Sequence, residues 1–361
     1  MHYFVDWLTL AQQHPIGSIP DVGAGAFLVV DQDGEVERRS LRWVQAMESH
    51  ETSIAVRCQD GLVEVSGNPS RWGRADNVFG VSWDQALGIF NQVVASFGLP
   101  AFTYSDASAR ARAGALNQSR LAVPVADGAV VRRVDLARNF ETGLDGAGMR
   151  SFLDVLAQGN WQGKKGRMQE WSDSWGSRRH SYAKVYAKGP ELRAHDRKAG
   201  KAWDLERVEY RQRLAAWAES VGLLRWEVQF GRDGLRRRGC RSLGSIENRL
   251  GDLAKEAEDM RVKIWPTGLR TGLESVAEQL QAEGVSPRQA AFLQALAHEW
   301  AAGVDVFSQF KVPTAYRYRA ALLPLGVDIR HPPVNVAQLR ARVRVIECRP
   351  AEVPAWYRQA A

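Results

Sequence analysis

Residues 178–192, RRHSYAKVYAKGPEL, alternate polar and apolar side chains with a period of two, a pattern that places alternate residues on one face of an extended strand. Counted by twos, five side chains share one such face: His180, Tyr182, Lys184, Tyr186 and Lys188. A phenol flanked by cations is the arrangement that attack on a phosphodiester requires, because positive charge favours phenolate and stabilises charge on the phosphoryl oxygens. The plainer interpretation is a basic strand with aromatic packing.

The charge distribution favours an anionic partner. The net charge is +7 and the sequence pI is near 9.4. Residues 161–210, around the tyrosines, hold 12 Lys and Arg against 7 Asp and Glu. A second basic cluster follows at Arg232, Arg236, Arg237, Arg238 and Arg241. Charge runs are often solvated faces, but two of them close to a candidate nucleophile favour a phosphate track.

Bulk properties predict a soluble globular protein with room for two domains in its 361 residues. No run approaches the roughly 18 apolar residues that a membrane span needs. The N-terminal MHYFVDWLTL contains Asp6 and has no basic leader, so we expect a first strand and not a signal peptide. Cys58, Cys240 and Cys348 are far apart and form no CxxC, which indicates a reducing cytoplasm and argues against a zinc site or disulfide framework.

Short β-rich runs bounded by Gly, Asp or Pro dominate the first part of the chain. Strands are predicted near 2–10, 25–31, 52–58, 61–66, 128–136, 179–188 and 223–230, and helices near 82–97, 147–157 and 203–220. After about Arg241 the pattern becomes helical: helices are predicted at 245–263, 268–283, 286–302 and 312–324, with a last strand at 339–348. The chain therefore predicts an α+β fold, with a mainly antiparallel sheet domain over 1–241 and a mostly helical domain over 242–361.

Three acids lie in predicted strands. They are Glu64 in LVEVSGN, Asp135 in VRRVDLARNF and Glu227 in LRWEVQF. Phosphoryl transfer by tyrosine generally needs a divalent cation, and hard cations such as Mg²⁺ or Mn²⁺ take oxygen ligands. We therefore predict these three as metal ligands, with Asp135 first; the alternative for each is an ion pair with a neighbouring arginine.

His180 is a candidate accessory ligand or proton shuttle for a leaving 3′ oxygen, although a lone His between Arg and Ser is more often a surface residue. Several catalytic motifs do not occur in the sequence. It has no GxxxxGK[ST], no HExxH, no GxSxG and no His-hydrophobe-His pair, so ATP-driven unwinding and these hydrolase classes are not encoded.

Five segments together resemble the filamentous-phage replication initiators, the gene II protein family, in matching order along nearly the whole chain. They are VEVSGNPSRWGRADNVFG (63–80), VRRVDLARNF (131–140), RRHSYAKVYAKGPEL (178–192), LLRWEVQF (223–230) and RYRAALLPLGVD with the terminal PAWY. The tyrosine segment also resembles the plasmid rolling-circle initiators.

The resemblance implies rolling-circle replication: nicking of the plus-strand origin of a double-stranded replicative form, a 5′-phosphotyrosyl intermediate, and later rejoining of the displaced single strand. It also implies a host polymerase and a host helicase as partners in the bacterial cytoplasm, and no membrane. By position the nucleophile is Tyr186. Tyr182 is a departure that leaves open a Tyr-x₃-Tyr pair, which some other phage initiators use.

The remaining predicted site residues are a catalytic Lys188 and a set of DNA contacts. The predicted DNA contacts are Arg178, Arg179, Lys184, Arg236, Arg237, Arg238 and Asn77, and Trp72, Trp175 and Trp226 are candidates for base stacking. Two alternatives stay open. One is a non-catalytic origin-binding regulator on the same scaffold, and the other is a tyrosine transposase or relaxase.

Overall fold

The computed structural model describes residues 3–49, 52–104, 128–157, 160–161, 164–165, 171–199, 204–264, 269–271, 276–325, 327–331, 344–346 and 348–358. The strands are β1 Phe4–Gln13, β2 Ala26–Val30, β3 Val36–Leu41, β4 Val44–Ser49, β5 Thr52–Gln59, β6 Leu62–Gly67, β7 Val130–Glu141, β8 Asn160–Trp161, β9 Lys164–Lys165, β10 Ser172–Gly176, β11 Ser181–Ala187, β12 Leu223–Gly231, β13 Leu269–Thr271, β14 Arg344–Ile346 and β15 Arg349–Pro350. The helices are α1 Trp83–Ser96, α2 Gly146–Ala157, α3 Lys188–Ala199, α4 Leu205–Ser220, α5 Arg232–Arg237, α6 Leu243–Glu247, α7 Leu250–Ile264, α8 Val276–Ala282, α9 Pro287–Ala301 and α10 Val312–Leu322.

One large antiparallel sheet organises the first part of the chain. Its strand order is β10-β11-β12-β7-β1-β6-β5-β4, and β15 pairs with β7 beside this path. Every pairing recorded in it is antiparallel. With helices following from residue 243, this architecture confirms the predicted α+β fold.

One face of the sheet carries the main hydrophobic core. Alternate residues such as Leu8, Leu136 and Val228 are buried there against α1, α2 and α7. Helix α1 begins where the sequence predicts, because the Ser82 side chain accepts from the Gln85 N–H while the Gln85 side chain accepts from the Ser82 N–H. The other face carries Tyr182, Lys184, Tyr186, Asp135 and Glu227.

Packing around residue 242 joins the neighbouring helices to the sheet. Leu243 and Ile246 of α6 and Met260 of α7 belong to the same buried cluster as the sheet strands. Helices α8, α9 and α10 form a second cluster around Leu293 and Trp300. The domain boundary between residues 241 and 242 stays a prediction. Helix α8 is the first helix whose buried residues belong to the second cluster and not to the cluster of the sheet.

Some predicted elements differ from those of the structure. The helix predicted over 268–283 is replaced by the short strand β13 and the shorter helix α8. The strand predicted over 339–348 falls mainly outside the described residues, with β14 inside it. Strands β3, β4, β8, β9, β10 and β15 and helices α3 and α5 are additional elements. Among the described residues no helix is long and apolar enough to cross a bilayer.

Candidate active site

The pairing of β11, β12 and β7 aligns the polar face of the sheet in three rows. Cα pairing places three sets side by side: Tyr186, Arg225 and Asn139; then Lys184, Glu227 and Ala137; then Tyr182, Gln229 and Asp135. Paired residues point to the same face, and successive rows are about 7 Å apart along the strands. The register thus brings the tyrosines, the lysine and two of the predicted acids onto one surface.

Tyr186 donates its hydroxyl hydrogen to Oε1 of Glu227 at 2.5 Å. Its side chain is only 6 % exposed. The Nζ atom of Lys184 lies 4.3 Å from the ring centroid and that of Lys188 lies 5.6 Å from it. A phenol, a carboxylate acceptor and two ammonium groups therefore meet within one cluster.

The phenol is held in its protonated form, contrary to the expectation that the cations favour phenolate. Burial, and then the negative charge of Glu227, raise the pKa of Tyr186 well above its usual range, although Arg225 acts in the opposite direction. Burial and the nearby Asp6 carboxylate raise the pKa of Glu227 to about 7. A carboxylate of that basicity is suited to accept a proton near neutral pH.

Asp6 is a site residue that the sequence reasoning missed. The register of β1 against β7 shifts between Val5 and Trp7, so Asp6 lies at an irregularity in the strand pairing. Its Oδ1 accepts from Asn77 Nδ2 at 2.9 Å and lies 3.3 Å from NH1 of Arg225. The available signal was an acid inside an otherwise apolar strand.

Arg225 connects the parts of the cluster and is fully buried. Its Nε donates to Oδ1 of Asn139 at 3.0 Å, and its NH1 lies 3.7 Å from Oε1 of Glu227. Its NH2 donates to the carbonyl oxygens of Asn77 and Val78. This guanidinium compensates the charge of Asp6 and Glu227 and is hydrogen-bonded to the segment 77–78.

Lys188, the first residue of α3, is also fully buried. Its Nζ donates to Oδ1 of Asn77 at 3.0 Å and forms an ion pair with Oε2 of Glu191 at 2.8 Å. Burial, and then the positive charge of Arg225, lower the pKa of Lys188. Asn77 uses both ends of its side chain inside the protein, on Asp6 and on Lys188, so the structure does not place it as a free DNA contact.

Tyr182 lies on the same face of β11 as Tyr186. Tyr182 is half-buried, with the guanidinium of Arg178 5.2 Å from its ring centroid.

His180 lies in the turn between β10 and β11, where its carbonyl oxygen accepts from the Gly231 N–H at 3.0 Å. Six residues of strand, about 20 Å, separate it from Tyr186, so the two are not brought together.

The predicted metal ligands do not converge. Asp135 lies two rows from Tyr186 and pairs with Arg133 through both of its oxygens; burial raises its pKa to about 6. Glu64 is bound by Arg57 and Arg132 and pairs in register with Ala11 of β1, four residues along from the Trp7 that pairs with Asp135. This is the ion-pair alternative for Glu64.

The three predicted ligands are not arranged to hold one metal ion. Both oxygens of Asp135 pair with Arg133, and Glu64 pairs with Arg57 and Arg132. Oε1 of Glu227 accepts from Tyr186 and lies 3.7 Å from NH1 of Arg225. Within the described ranges no three His, Cys, Asp or Glu side chains are grouped to hold a metal ion.

The predicted DNA contacts divide by exposure. Arg178, Arg179, Arg236 and Arg237 are exposed, and Lys184 is half-buried. Arg238 binds Glu256, the carbonyl oxygen of Gly234 and the hydroxyl of Ser181, so its guanidinium is engaged within the protein. Arg179 and Arg236 flank Asp233 at the edge of the same surface.

Two of the three tryptophans proposed for base stacking belong to the core. Trp175 is 2 % exposed and Trp226 is fully buried, with their ring centroids 6.3 Å apart. Trp226 also donates to the carbonyl oxygen of Ala257 at 3.1 Å. Both alternate onto the helix-covered face, away from the tyrosines. Trp72 is partly buried against the same core.

Comparisons with known proteins agree with the resemblance in the sequence. The family model for the N-terminal part of the replication-associated gene II protein matches residues 5–248, and the model for its C-terminal part matches residues 285–361. The replication-associated gene II protein of Escherichia phage If1 is 27 % identical over 326 residues, which cover 84 % of this chain and 97 % of that protein. No solved structure matches. The chain thus belongs to the family of filamentous-phage replication-associated gene II proteins.

Proposed function

We propose that this replication protein is a rolling-circle initiator that nicks the plus-strand origin of a phage replicative-form DNA with Tyr186 and later rejoins the displaced strand. The observation that carries the proposal is the hydrogen bond from the Tyr186 hydroxyl to Glu227, in a cluster that also holds Lys184, Lys188 and Arg225. Membership of the gene II protein family supports the role in replication.

The chemical step is an in-line displacement at phosphorus. The oxygen of Tyr186 forms a bond to the phosphorus while the bond from phosphorus to the 3′ oxygen breaks, and the phenol proton passes to Glu227. Lys188, whose ammonium group burial makes more acidic, supplies a proton to the leaving 3′ oxygen. The phosphotyrosyl bond keeps the free energy of the phosphodiester, so rejoining is the same displacement in reverse and needs no ATP.

Access to the phenol requires a side chain to move. Tyr186 is 6 % exposed, and the flexible, half-buried Lys184 lies over its ring. A DNA phosphate that pairs with the Lys184 ammonium would draw this side chain away from the ring and approach the hydroxyl at the same time.

Formation of a covalent adduct tests the assignment. Tyr186→Phe should abolish the 5′-linked adduct with an origin oligonucleotide, because it removes the attacking oxygen, and Tyr182→Phe should retain it. Gel separation of denatured reactions measures both, and peptide mapping identifies the linked residue. An adduct on Tyr182, which shares a row with Asp135 and is the more exposed phenol, would transfer the role to the second candidate.

Supercoiled origin DNA separates an enzyme from a binding protein. A nicked circle with protein on a 5′ end supports the proposal, and a shifted but intact circle supports a non-catalytic regulator. Dependence on Mg²⁺ or Mn²⁺ stays a prediction that the same assay checks with a chelator. If Asp135→Ala nicks as wild type does, Asp135 is not a ligand. We further propose that a host polymerase and helicase act on the nicked product in the bacterial cytoplasm.

A further inference from the structure

The C-terminal residues return to the tyrosine-bearing part of the protein. Strand β15 pairs with β7 at Glu141 and Phe140, and the Ala351 N–H donates to the carbonyl oxygen of Asn139 at 3.0 Å. From there the chain reaches Tyr357, which is 7 % exposed. Residues 349–358, which we name the C-terminal strap, therefore lie far from Tyr186 in sequence and yet pack beside its site.

The hydroxyl of Tyr357 is hydrogen-bonded to one short segment. It donates to Oδ1 of Asp76 at 2.6 Å and accepts from the Phe79 N–H at 3.0 Å and from NH2 of Arg74 at 2.7 Å. The ring packs edge-on against Phe79 with centroids 5.0 Å apart. Tyr357 thus contacts the turn formed by residues 76–79 at both of its ends.

The same turn supplies the groups that organise the site. Asn77 joins Asp6 to Lys188 through its side chain. The carbonyl oxygen of Val78 accepts from Arg225 at 2.6 Å and from Asn139 at 2.5 Å. A displacement of this turn would release both Lys188 and Arg225 from their partners.

One side of the turn borders a cavity. A cavity of about 690 Å³ adjoins Phe79 and Gly80 and is bordered on its other side by Val353 and Tyr357 of the strap. On its other side the turn packs through Val78, which is buried in a cluster with Tyr357. The hydrogen bonds of the Tyr357 hydroxyl therefore act on the side of the turn that faces the cavity.

We propose that Tyr357 is a positioning residue for the strand-transfer reaction, whose hydroxyl holds the turn 76–79 and thereby keeps Asn77, Lys188 and Asp6 in place beside Tyr186. The proposal rests on the proposed function of Tyr186. It extends the reaction centre to the end of the chain, because a side chain near the C-terminus orders the groups that act on the phosphate.

Tyr357→Phe tests the proposal in the full-length protein, since it removes only the hydroxyl and keeps the ring against Phe79. The single-turnover rate of adduct formation at saturating origin oligonucleotide should fall about tenfold or more, because small misplacements of reacting groups are costly. The dissociation constant for the oligonucleotide should stay within about twofold of the wild-type value. The groups that Tyr357 positions are Asn77, Lys188 and Asp6, and these are not the exposed arginines predicted to bind the DNA. Tyr3→Phe is the matched control. The Tyr3 ring borders the same cavity, but its hydroxyl donates to Glu258 of α7 at 2.9 Å and not to the turn.

The rate and the melting temperature together separate positioning from stability. The proposal requires that Tyr357→Phe lose rate at a temperature where both variants are fully folded, and that Tyr3→Phe keep the wild-type rate. An unchanged rate in Tyr357→Phe, or equal losses in the two variants, overturns it. Tyr186→Phe is run in parallel: if that variant still forms the adduct, it is the proposed function of Tyr186 that fails.

Discussion

At the scale of single residues, burial controls the protonation of the candidate nucleophile more than the neighbouring cations do. The sequence places Tyr186 among Lys and Arg, which by Coulomb interaction alone would lower the pKa of the phenol. In the fold the phenol is enclosed and faces Glu227, and these effects raise its pKa instead. The resting protein therefore keeps a neutral phenol beside a basic carboxylate.

Glu227→Gln should slow adduct formation by about 10²- to 10⁴-fold, because an amide retains the shape of the side chain but does not take the proton of Tyr186. Single-turnover kinetics with an origin oligonucleotide measure the effect. Glu219→Gln, which removes a carboxylate paired with Arg193 at the surface, is the control. A wild-type rate in Glu227→Gln would contradict the role of Glu227 as proton acceptor.

Asp173 predicts a pH dependence of stability on the helix-covered face of the sheet. It is 1 % exposed and its carboxylate oxygens have no hydrogen-bond partner among the described residues. Burial, and then the charge of Asp154, raise its pKa from 3.8 to about 7. A proton held more tightly in the folded state stabilises the fold fully below about pH 4, and this contribution is lost as the pH rises through about 7.

Asp173→Asn should therefore be more stable than wild type at pH 8, by roughly 1–2 kcal/mol after allowance for solvent screening, and similar to it near pH 4. Urea unfolding at both pH values measures the difference. Asp259→Asn, at an exposed position of α7, should show no such dependence. Equal stability of Asp173→Asn and wild type at pH 8 would contradict this account.

At the scale of elements, the turn between β10 and β11 is docked on α5 through close backbone contacts. The Gly231 and Asp233 N–H groups donate to the carbonyl oxygens of His180 and Arg179. A Cβ at Gly234 would collide with the carbonyl oxygen of His180. The glycines of the GRDG segment thus allow the β10–β11 hairpin to approach the end of β12.

Gly234→Ala should destabilise the protein by about 1–3 kcal/mol, since backbone atoms have to move to admit the methyl group. Gly88→Ala is the matched control, because Gly88 lies within α1 with nothing within 4 Å of the added carbon. That change should stabilise by about 0.5–1 kcal/mol, as Ala favours a helix over Gly. Thermal unfolding checks both, and a neutral Gly234→Ala would mean that the hairpin is not held closely against α5.

Elements with strong local signals were predictable from sequence. Ser82 with Gln85 and Ser286 with Pro287 mark the starts of α1 and α9, and the alternation around Tyr186 marks β11. The polar–apolar alternation continues into Lys188, so the predicted strand extends to residue 188. In the structure β11 ends at Ala187, and Lys188 is the first residue of α3. The segment 268–283 was misjudged as one helix, since short strands carry little periodic signal.

At the scale of the whole molecule, the excess of positive charge predicts salt-dependent DNA binding. Arg178 is exposed at the edge of the tyrosine-bearing surface and lies against the half-buried Tyr182. Each phosphate contact adds about 0.9 to the slope of log affinity against log salt on duplex DNA.

Arg178→Gln should lower that slope by about 0.9, the contribution of one phosphate contact. It should also weaken binding to origin DNA and to unrelated DNA by similar factors. Fluorescence anisotropy across a salt series measures it. Arg193→Gln is the control with the same change in net charge, because the Arg193 guanidinium is already paired with Glu219 through two hydrogen bonds. Equal slopes for Arg178→Gln and wild type would exclude Arg178 as a phosphate contact.

The sequence by itself determined the α+β class, the tyrosine strand, its basic surroundings and the family, because periodicity, charge and motif order are local properties of the chain. Only the tertiary structure decided which acids and bases meet. Three features depend on strand register and long-range packing. They are the contact of Asp6 with Arg225 at a register shift of β1, the separation of Asp135 and Glu64 from Tyr186, and the return of Tyr357 to the turn 76–79. Contacts between residues far apart in the chain leave no periodic signal in a single sequence, so burial and neighbours, and with them the pKa of Tyr186, are set by the fold.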